Sequence, residues 1–167
     1  EPLVPVHPFS VINAAFALRL MADQYPKGTI FLVIVNPEKE RPARMCGKTK
    51  NGFYFVSANT GALSWLVDDF GLEEVFEIDD PGFVPFGGKF VHAPTVAKLL
   101  CGKSFSEIGK KRDLNFLKTI EIPKGTVVHI DNFGLAKIKG EKPDFEDLTK
   151  LNVYVNGKNV GKKFVFT

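Results

Sequence analysis

Between Pro8 and Tyr25, apolar residues recur at spacings of three and four, at Val11, Ala14, Ala15, Leu18, Met21, Ala22 and Tyr25; this spacing predicts an amphipathic helix. Tyr25-Pro26-Lys27-Gly28 breaks it. Thr29 to Val35 follows as a β-branched, nearly continuous apolar run, the pattern of a strand covered on both faces and hence of a parallel sheet. Lys50-Asn51-Gly52 is a turn signal, and Phe53 to Val56 reads as a second short strand. Thr60 and Gly61 precede a helical turn through Trp65, and Glu73 to Ile78 reads as a third strand. Ala93-Pro94 opens a helix through Leu100, with proline in the first turn and Gly102 just past the end.

Strands alternating with helices predict an α/β N-terminal domain with a mostly parallel sheet over residues 1–112. The pattern then changes. Thr126 to Ile130, Asn152 to Val155 and Lys163 to Thr167 are short β-like segments, and Asn156-Gly157 is a hairpin turn signal. A small β-barrel-like or sandwich domain is therefore expected over residues 113–167, after a charged connection carrying Pro123 and Gly125.

The segment from Val33 to Ser64 carries the most chemical information, because an apolar strand there ends in a polar, proline-containing loop. Ligands and reacting groups collect at such strand ends.

Composition narrows the class. A chain of 167 residues with 44% hydrophobic content can bury a core, and sixteen Phe against one Trp and three Tyr point to aromatic residues that fill space. The net charge of +3 is small and spread out, and Lys110 to Arg112 and Lys158 to Lys163 read as solvated faces, so no nucleic-acid partner is expected. Cys46 and Cys101 lack a CxxC spacing and a clustered His, which leaves two reduced thiols of a cytoplasmic protein and neither a zinc site nor a redox pair. No apolar run is long enough to span a bilayer and no signal-peptide pattern opens the chain, so no membrane is expected either. The first residue is Glu1, which leaves room for a processed, trimmed or partial chain.

Four blocks in order, YPKGTIFLVIVNP, GFYFVSANTGALS, GGKFVHAPTVAKLLCGKSFSEIG and GTVVHIDNFG, resemble the S-adenosyl-L-methionine hydroxide adenosyltransferase family, which is related to the S-adenosylmethionine-dependent fluorinases and chlorinases. The resemblance runs from about His7 to Thr167. It implies a two-domain, often trimeric enzyme that binds S-adenosylmethionine between the α/β domain of one subunit and the β domain of its neighbour. Hydroxide attacks the ribose C5′ and releases adenosine and methionine. A sulfonium is a good leaving group, so the resemblance implies no cofactor, and the protein has to desolvate, orient and activate a water.

Carried over residue by residue, the resemblance puts Asn36 where the family has the Asp of its VDPGVG motif, followed by Glu38-Lys39-Glu40 in place of Gly-Val-Gly. An amide can hydrogen-bond a water but cannot take its proton at neutral pH. The family's activating Arg falls at Arg44, with Arg41 as the alternative; a guanidinium there can hold an anion, while the plain alternative is two solvated loop cations. The family's His, in HGRDxFAP, aligns with Gly87, and His92 lies five positions later, where it reads as a helix-entry or packing histidine. His7 and His129 read as a surface loop residue and a strand residue.

The family's APDNG segment corresponds to Ser57-Ala58-Asn59-Thr60-Gly61, which makes Asn59 a substrate-site residue with an amide in place of a carboxylate. Its DxFGN motif corresponds to Asp131-Asn132-Phe133-Gly134, with Leu135 replacing the final Asn. By resemblance Asp131 holds the methionine amino group and Phe133 packs on the adenine, whereas on local grounds Asp131 and Asn132 cap a strand end. The family's N-terminal strand, with its DFG, has no counterpart before Glu1, and its C-terminal stretch none after Thr167, so an incomplete nucleoside pocket and an exposed sheet edge are expected. Two functions follow as expectations: an S-adenosylmethionine hydrolase, or a catalytically silent relative that binds a nucleoside or serves as an oligomeric scaffold.

Overall fold

Ser10 starts the first helix, its Oγ accepting the Asn13 N–H at 3.2 Å, and α1 runs Val11–Ala22. In the computed structural model, the described residues are 6–37, 39–79, 81–82, 84–140, 153–155 and 157–161. They form two compact units, residues 1–121 and residues 122–167. The forecast β segment at Lys163 to Thr167, and Asn156 of the forecast turn, lie outside the described residues.

The first unit is built on one five-stranded sheet. Its strands are β1 (Ile30–Val33), β2 (Arg44–Thr49), β3 (Tyr54–Ala58), β4 (Leu72–Ile78) and β5 (Gly109–Arg112), in the order β1-β3-β2-β4-β5. Two further helices, α2 (Ser64–Phe70) and α3 (Ala93–Leu100), complete it. Side chains alternate across the sheet. Met45, Phe55 and Val75 point to one layer with Leu18 and Ala22 of α1 and Leu66 of α2, and Cys46, Val56 and Phe76 point to the other with Val91 and Ile108. The central strands β2 and β3 are thus covered on both faces, each buried large side chain contributing about 1.5–3 kcal/mol. A run of edge-to-face rings, Tyr25 to Phe31, Phe31 to Phe53 and Phe53 to Phe70, with centroids 5.9, 5.3 and 5.5 Å apart, closes the α1 side.

The sheet corrects the expectation of a mostly parallel one. Only β1 and β3 run parallel; β2 pairs antiparallel with both β3 and β4, and β4 with β5. The cause is β2, a strand with no apolar run. Its sequence RMCGKT carries Gly47 and Lys48, yet Lys50-Asn51-Gly52 folds it back onto β3 as a hairpin. Gly47 is required there: a Cβ would lie 2.3 Å from the Glu74 carbonyl oxygen and 2.6 Å from Phe55 Cζ. The run at Thr29 to Val35 is also not covered on both faces. Among the described residues β1 is an edge strand, with Leu32 in it 42% exposed and Ile34 just after it 49% exposed.

The first unit includes the segment that follows β5. Leu117 is buried in the α1-side core, and Asn59 holds the backbone at Phe116 and Lys118. In the second unit the described residues form two separate two-stranded antiparallel sheets, β6 (Val127–Ile130) with β7 (Ala136–Ile138), and β8 (Val153–Val155) with β9 (Lys158–Gly161). Among the described residues no helix is long and apolar enough to cross a membrane.

Candidate functional site

Because β1 and β3 are parallel and β2 runs antiparallel between β3 and β4, the ends of β1, β3 and β4 and the start of β2 meet at one end of the sheet. Residues Asn36, Arg41, Arg44 and Ser57 to Gly61 all belong to this end. Local hydrogen bonds fix it. Ser57 Oγ donates to the Val33 carbonyl at 3.0 Å and Thr60 Oγ1 to the Val35 carbonyl at 2.9 Å. Val35 is buried against Ala14 and Ala62, and the chain then turns outward, leaving Asn36 exposed. The loop after β1 is therefore anchored up to the residue before Asn36.

Arg44, the first residue of β2, pairs with Ala58 in the strand register and is only 6% exposed. Its guanidinium lies against Gly87: a Cβ there would sit 2.7 Å from Nη2 and 3.3 Å from Cζ. The glycine at position 87 thus makes room for the arginine. Arg41 is exposed and donates through Nη1 to the Gly82 carbonyl. Of the two candidate arginines, Arg44 is the buried one.

His92 joins this cluster. It closes a π-helical turn, Gly88–His92, whose ladder bond runs from Ala93 N–H to the Gly88 carbonyl, and it leads directly into α3. Its Nδ1 is 3.1 Å from the Gly87 carbonyl, and the ring is 4% exposed. Burial is the main cause that lowers its pKa from 6.5, and the charges of Arg44 and Arg41 lower it further, against the backbone carbonyls of Gly87 and Ser57. Its place agrees with the helix-entry or packing histidine expected from the sequence, since it is buried and stands directly before α3. Pro94 has no N–H to continue an α ladder and so favours a wider turn just before it.

Asn59 is engaged by the protein itself. Its Nδ2 donates to the Phe116 carbonyl at 2.7 Å and its Oδ1 accepts the Lys118 N–H at 2.8 Å. Gly61 takes φ +92°, a turn conformation other residues resist, and a Cβ there would meet Ile120 Cγ2 at 2.6 Å.

In the second unit, Asp131 Oδ1 accepts the N–H groups of Phe133 and Leu135, both at 2.9 Å, and Lys137 Nζ is 3.8 Å from Oδ2. The Leu135 and Phe133 N–H bonds, with Lys137 and His129 nearby, hold its carboxyl below the usual range. Phe133 is 91% exposed at the tip of this turn. Ile130, Leu135 and Ile138 are exposed as well.

A groove of about 620 Å³ lies at the opposite end of the sheet, between Tyr54, Lys48 and Phe105. A smaller recess of about 200 Å³ sits beside the end of β4, between Asp79, Val91 and Pro94. The cluster of Arg44, Gly87 and His92 is therefore marked by buried charge and hydrogen bonding rather than by cavity size. Among the described residues no group of three His, Cys, Asp or Glu is gathered that could hold a metal ion.

Comparison with known proteins gives the cluster a context. Residues 4–109 match the model of the SAM hydroxide adenosyltransferase N-terminal domain. The chain is 25% identical over 167 residues to the (R)-S-adenosyl-L-methionine hydrolase of Methanocaldococcus jannaschii, an alignment covering 96% of this chain and 61% of the relative. It is also similar to the crystal structure of an uncharacterised conserved protein from Thermotoga maritima, with 29% identity and a TM-score of 0.70 over 80% of this chain and 56% of the other. A conserved hypothetical protein from Thermus thermophilus shares the fold at 22% identity, with a TM-score of 0.64 over 80% of this chain and 59% of the other. The chain thus spans roughly three-fifths of the length of these proteins. With the family model covering most of the first unit, the chain belongs to the S-adenosyl-L-methionine hydroxide adenosyltransferase family.

Proposed function

We propose that this chain takes part in the hydrolysis of S-adenosylmethionine to adenosine and methionine, with the water held at the strand end next to Arg44. The observation that carries this reading is the buried Arg44 guanidinium, fixed against Gly87 within the stretch that matches the family model. In the reaction the water oxygen forms a bond to ribose C5′ as the C5′–S bond breaks, the sulfonium leaves as neutral methionine sulfur, and the water's proton passes to solvent. A guanidinium beside the attacking water favours its hydroxide form, which is where the rate gain lies. Asn36 can orient that water through its amide but does not take its proton. No metal or redox cofactor is required by this chemistry. Asp131 and Phe133 are proposed as contacts for the amino group and the adenine, and a homotrimer as the assembly, as the family resemblance implies.

The test is direct. Protein incubated with S-adenosylmethionine releases adenosine and methionine in equal amounts, and Arg44→Ala reduces the rate by about a hundredfold. No adenosine above the buffer control would overturn this reading.

A second reading is supported by Asn36 and by the engaged amide of Asn59: a silent relative that binds the nucleoside without turning it over. Calorimetry then shows heat with adenosine or S-adenosylmethionine while no product forms, and absence of heat with either removes it.

A further inference from the structure

We propose that His92 positions the Arg44 guanidinium, acting through the Gly87 carbonyl and the π turn that brings residue 92 back over residue 87. This deepens the hydrolase reading and rests on it only for the part Arg44 plays in turnover.

The backbone makes the first half of the case. In an α-helix a residue five positions on has turned well past its starting face, at 3.6 residues per turn as a rough rule. A π turn closes i to i+5 bonds and returns that residue to the same face. Gly88–His92 is such a turn, and Pro94 in the next turn leaves it no α-type donor at that point. The imidazole consequently reaches the Gly87 carbonyl at 3.1 Å. Gly87 itself has αR backbone angles, φ −52° and ψ −30°, which any residue adopts, so its glycine answers to the space Arg44 occupies and not to backbone strain.

The second half is chemical. A carbonyl oxygen only accepts, so Nδ1 carries the proton of the neutral ring and Nε2 keeps a lone pair. That Nε2 is buried and closes no hydrogen bond of ordinary geometry among the described residues, although the Ser57 backbone carbonyl beside the ring would favour its protonated form. The charged groups that bear on the imidazole are Arg44 and Arg41. While the ring is neutral it can hold Gly87 under the guanidinium; once protonated it adds a cation to two others and drives Arg44 away.

The experiment reads Arg44 itself, on the full chain labelled with nitrogen-15. The Arg44 Nε–H resonance is assigned by its loss in Arg44→Lys and the ring nitrogens by their loss in His92→Phe. From about pH 8 to about pH 5, the Arg44 resonance moves with the same midpoint as the His92 ring, and the neutral ring shows the Nδ1–H tautomer. In His92→Phe the step vanishes and the Arg44 Nε–H exchanges with water about tenfold faster. If His92→Phe does not fold, the wild-type titration alone decides. An Arg44 resonance that passes unmoved through the His92 titration overturns the proposal, as does a folded His92→Phe with unchanged Arg44 exchange. A protein that releases no adenosine sinks the hydrolase reading and leaves this resonance test standing.

Discussion

Asn59 clasps the backbone on both sides of Leu117, accepting the Lys118 N–H at 2.8 Å and donating to the Phe116 carbonyl at 2.7 Å. The segment that follows β5 is thereby sewn to the end of β3, and Leu117 is pressed into the core beside Leu63 and Leu66. Asn59→Ala leaves a backbone donor and an acceptor without their side-chain partners and is expected to cost about 1–3 kcal/mol in urea unfolding. Asn59→Asp separates the two bonds, because it keeps the acceptor for Lys118 and sets a carboxylate against the Phe116 carbonyl. An unfolding midpoint of Asn59→Ala equal to that of wild type would show that the clasp contributes nothing.

Gly47 lies opposite Val75 where β2 pairs with β4, and a Cβ there would meet the Glu74 carbonyl oxygen at 2.3 Å. The obstacle is backbone within a paired strand, which cannot swing aside as a side chain would. Gly47→Ala is expected to destabilise by about 3 kcal/mol or more, or to yield insoluble protein. Gly87→Ala makes the contrast, since its clash falls on the end of the Arg44 side chain. Its melting temperature should stay near wild type while Arg44 shifts, and thermal melts of the two variants side by side check the difference.

These two glycines also show where the sequence was readable and where it was not. The helix at Val11–Ala22, the strand at Tyr54–Ala58 and the strand at Leu72–Ile78 follow from periodicity, because their apolar faces are largely buried, and the helix at Ala93–Leu100 follows from its punctuation by Pro94 and Gly102. β2 gave no such signal: its residues are central only because neighbours on both sides pair with them, a tertiary fact that outweighs the local weakness of Gly47 and Lys48. With that strand unread, the alternation of strands and helices pointed to a mostly parallel sheet where β2 makes most of the pairing antiparallel. The same holds at the site. The strand end could be read from the order of the elements, and burial then separates Arg44 from Arg41, which the sequence left as alternatives; the return of His92 to Gly87 depends on a π turn that spacing rules for α-helices do not anticipate.

Acidification should weaken the fold through His92. Its pKa is lowered in the folded protein, first by burial and then by Arg44 and Arg41, and returns to 6.5 on unfolding. Below that value the unfolded chain binds a proton that the native chain resists, so this contribution is complete above about pH 6.5 and declines as pH falls toward the folded pKa. Urea midpoints measured from pH 7.5 downward in wild type and His92→Phe test it: the wild type loses stability across this window more steeply than the variant. Parallel curves would remove His92 as the cause.

The two cysteines should separate cleanly in a thiol titration. Cys46 is fully buried between β3 and β4, where burial and the Glu74 carboxylate push its thiol up to about 12, while Cys101 is exposed at the end of α3. A thiolate is the reacting form, so Cys101 is modified at once and Cys46 only after denaturation. One equivalent of colour in buffer and two in guanidinium is the expected result; two in buffer would mean that the sheet opens at β2.

Asp131 offers a way to tell a turn from a ligand. Its Oδ1 accepts two backbone N–H groups, which an amide oxygen can also do, whereas holding the ammonium of methionine requires the negative charge. Asp131→Asn should therefore keep the β6–β7 hairpin and its amide chemical shifts, while Asp131→Ala loosens residues 131 to 135. If Asp131 also holds the substrate amino group, Asp131→Asn weakens S-adenosylmethionine binding about tenfold to a hundredfold and leaves adenosine binding nearly unchanged, because adenosine has no ammonium to lose. Calorimetry with both ligands on both variants gives the answer. Equal losses for the two ligands, or none for either, would assign Asp131 to the turn alone.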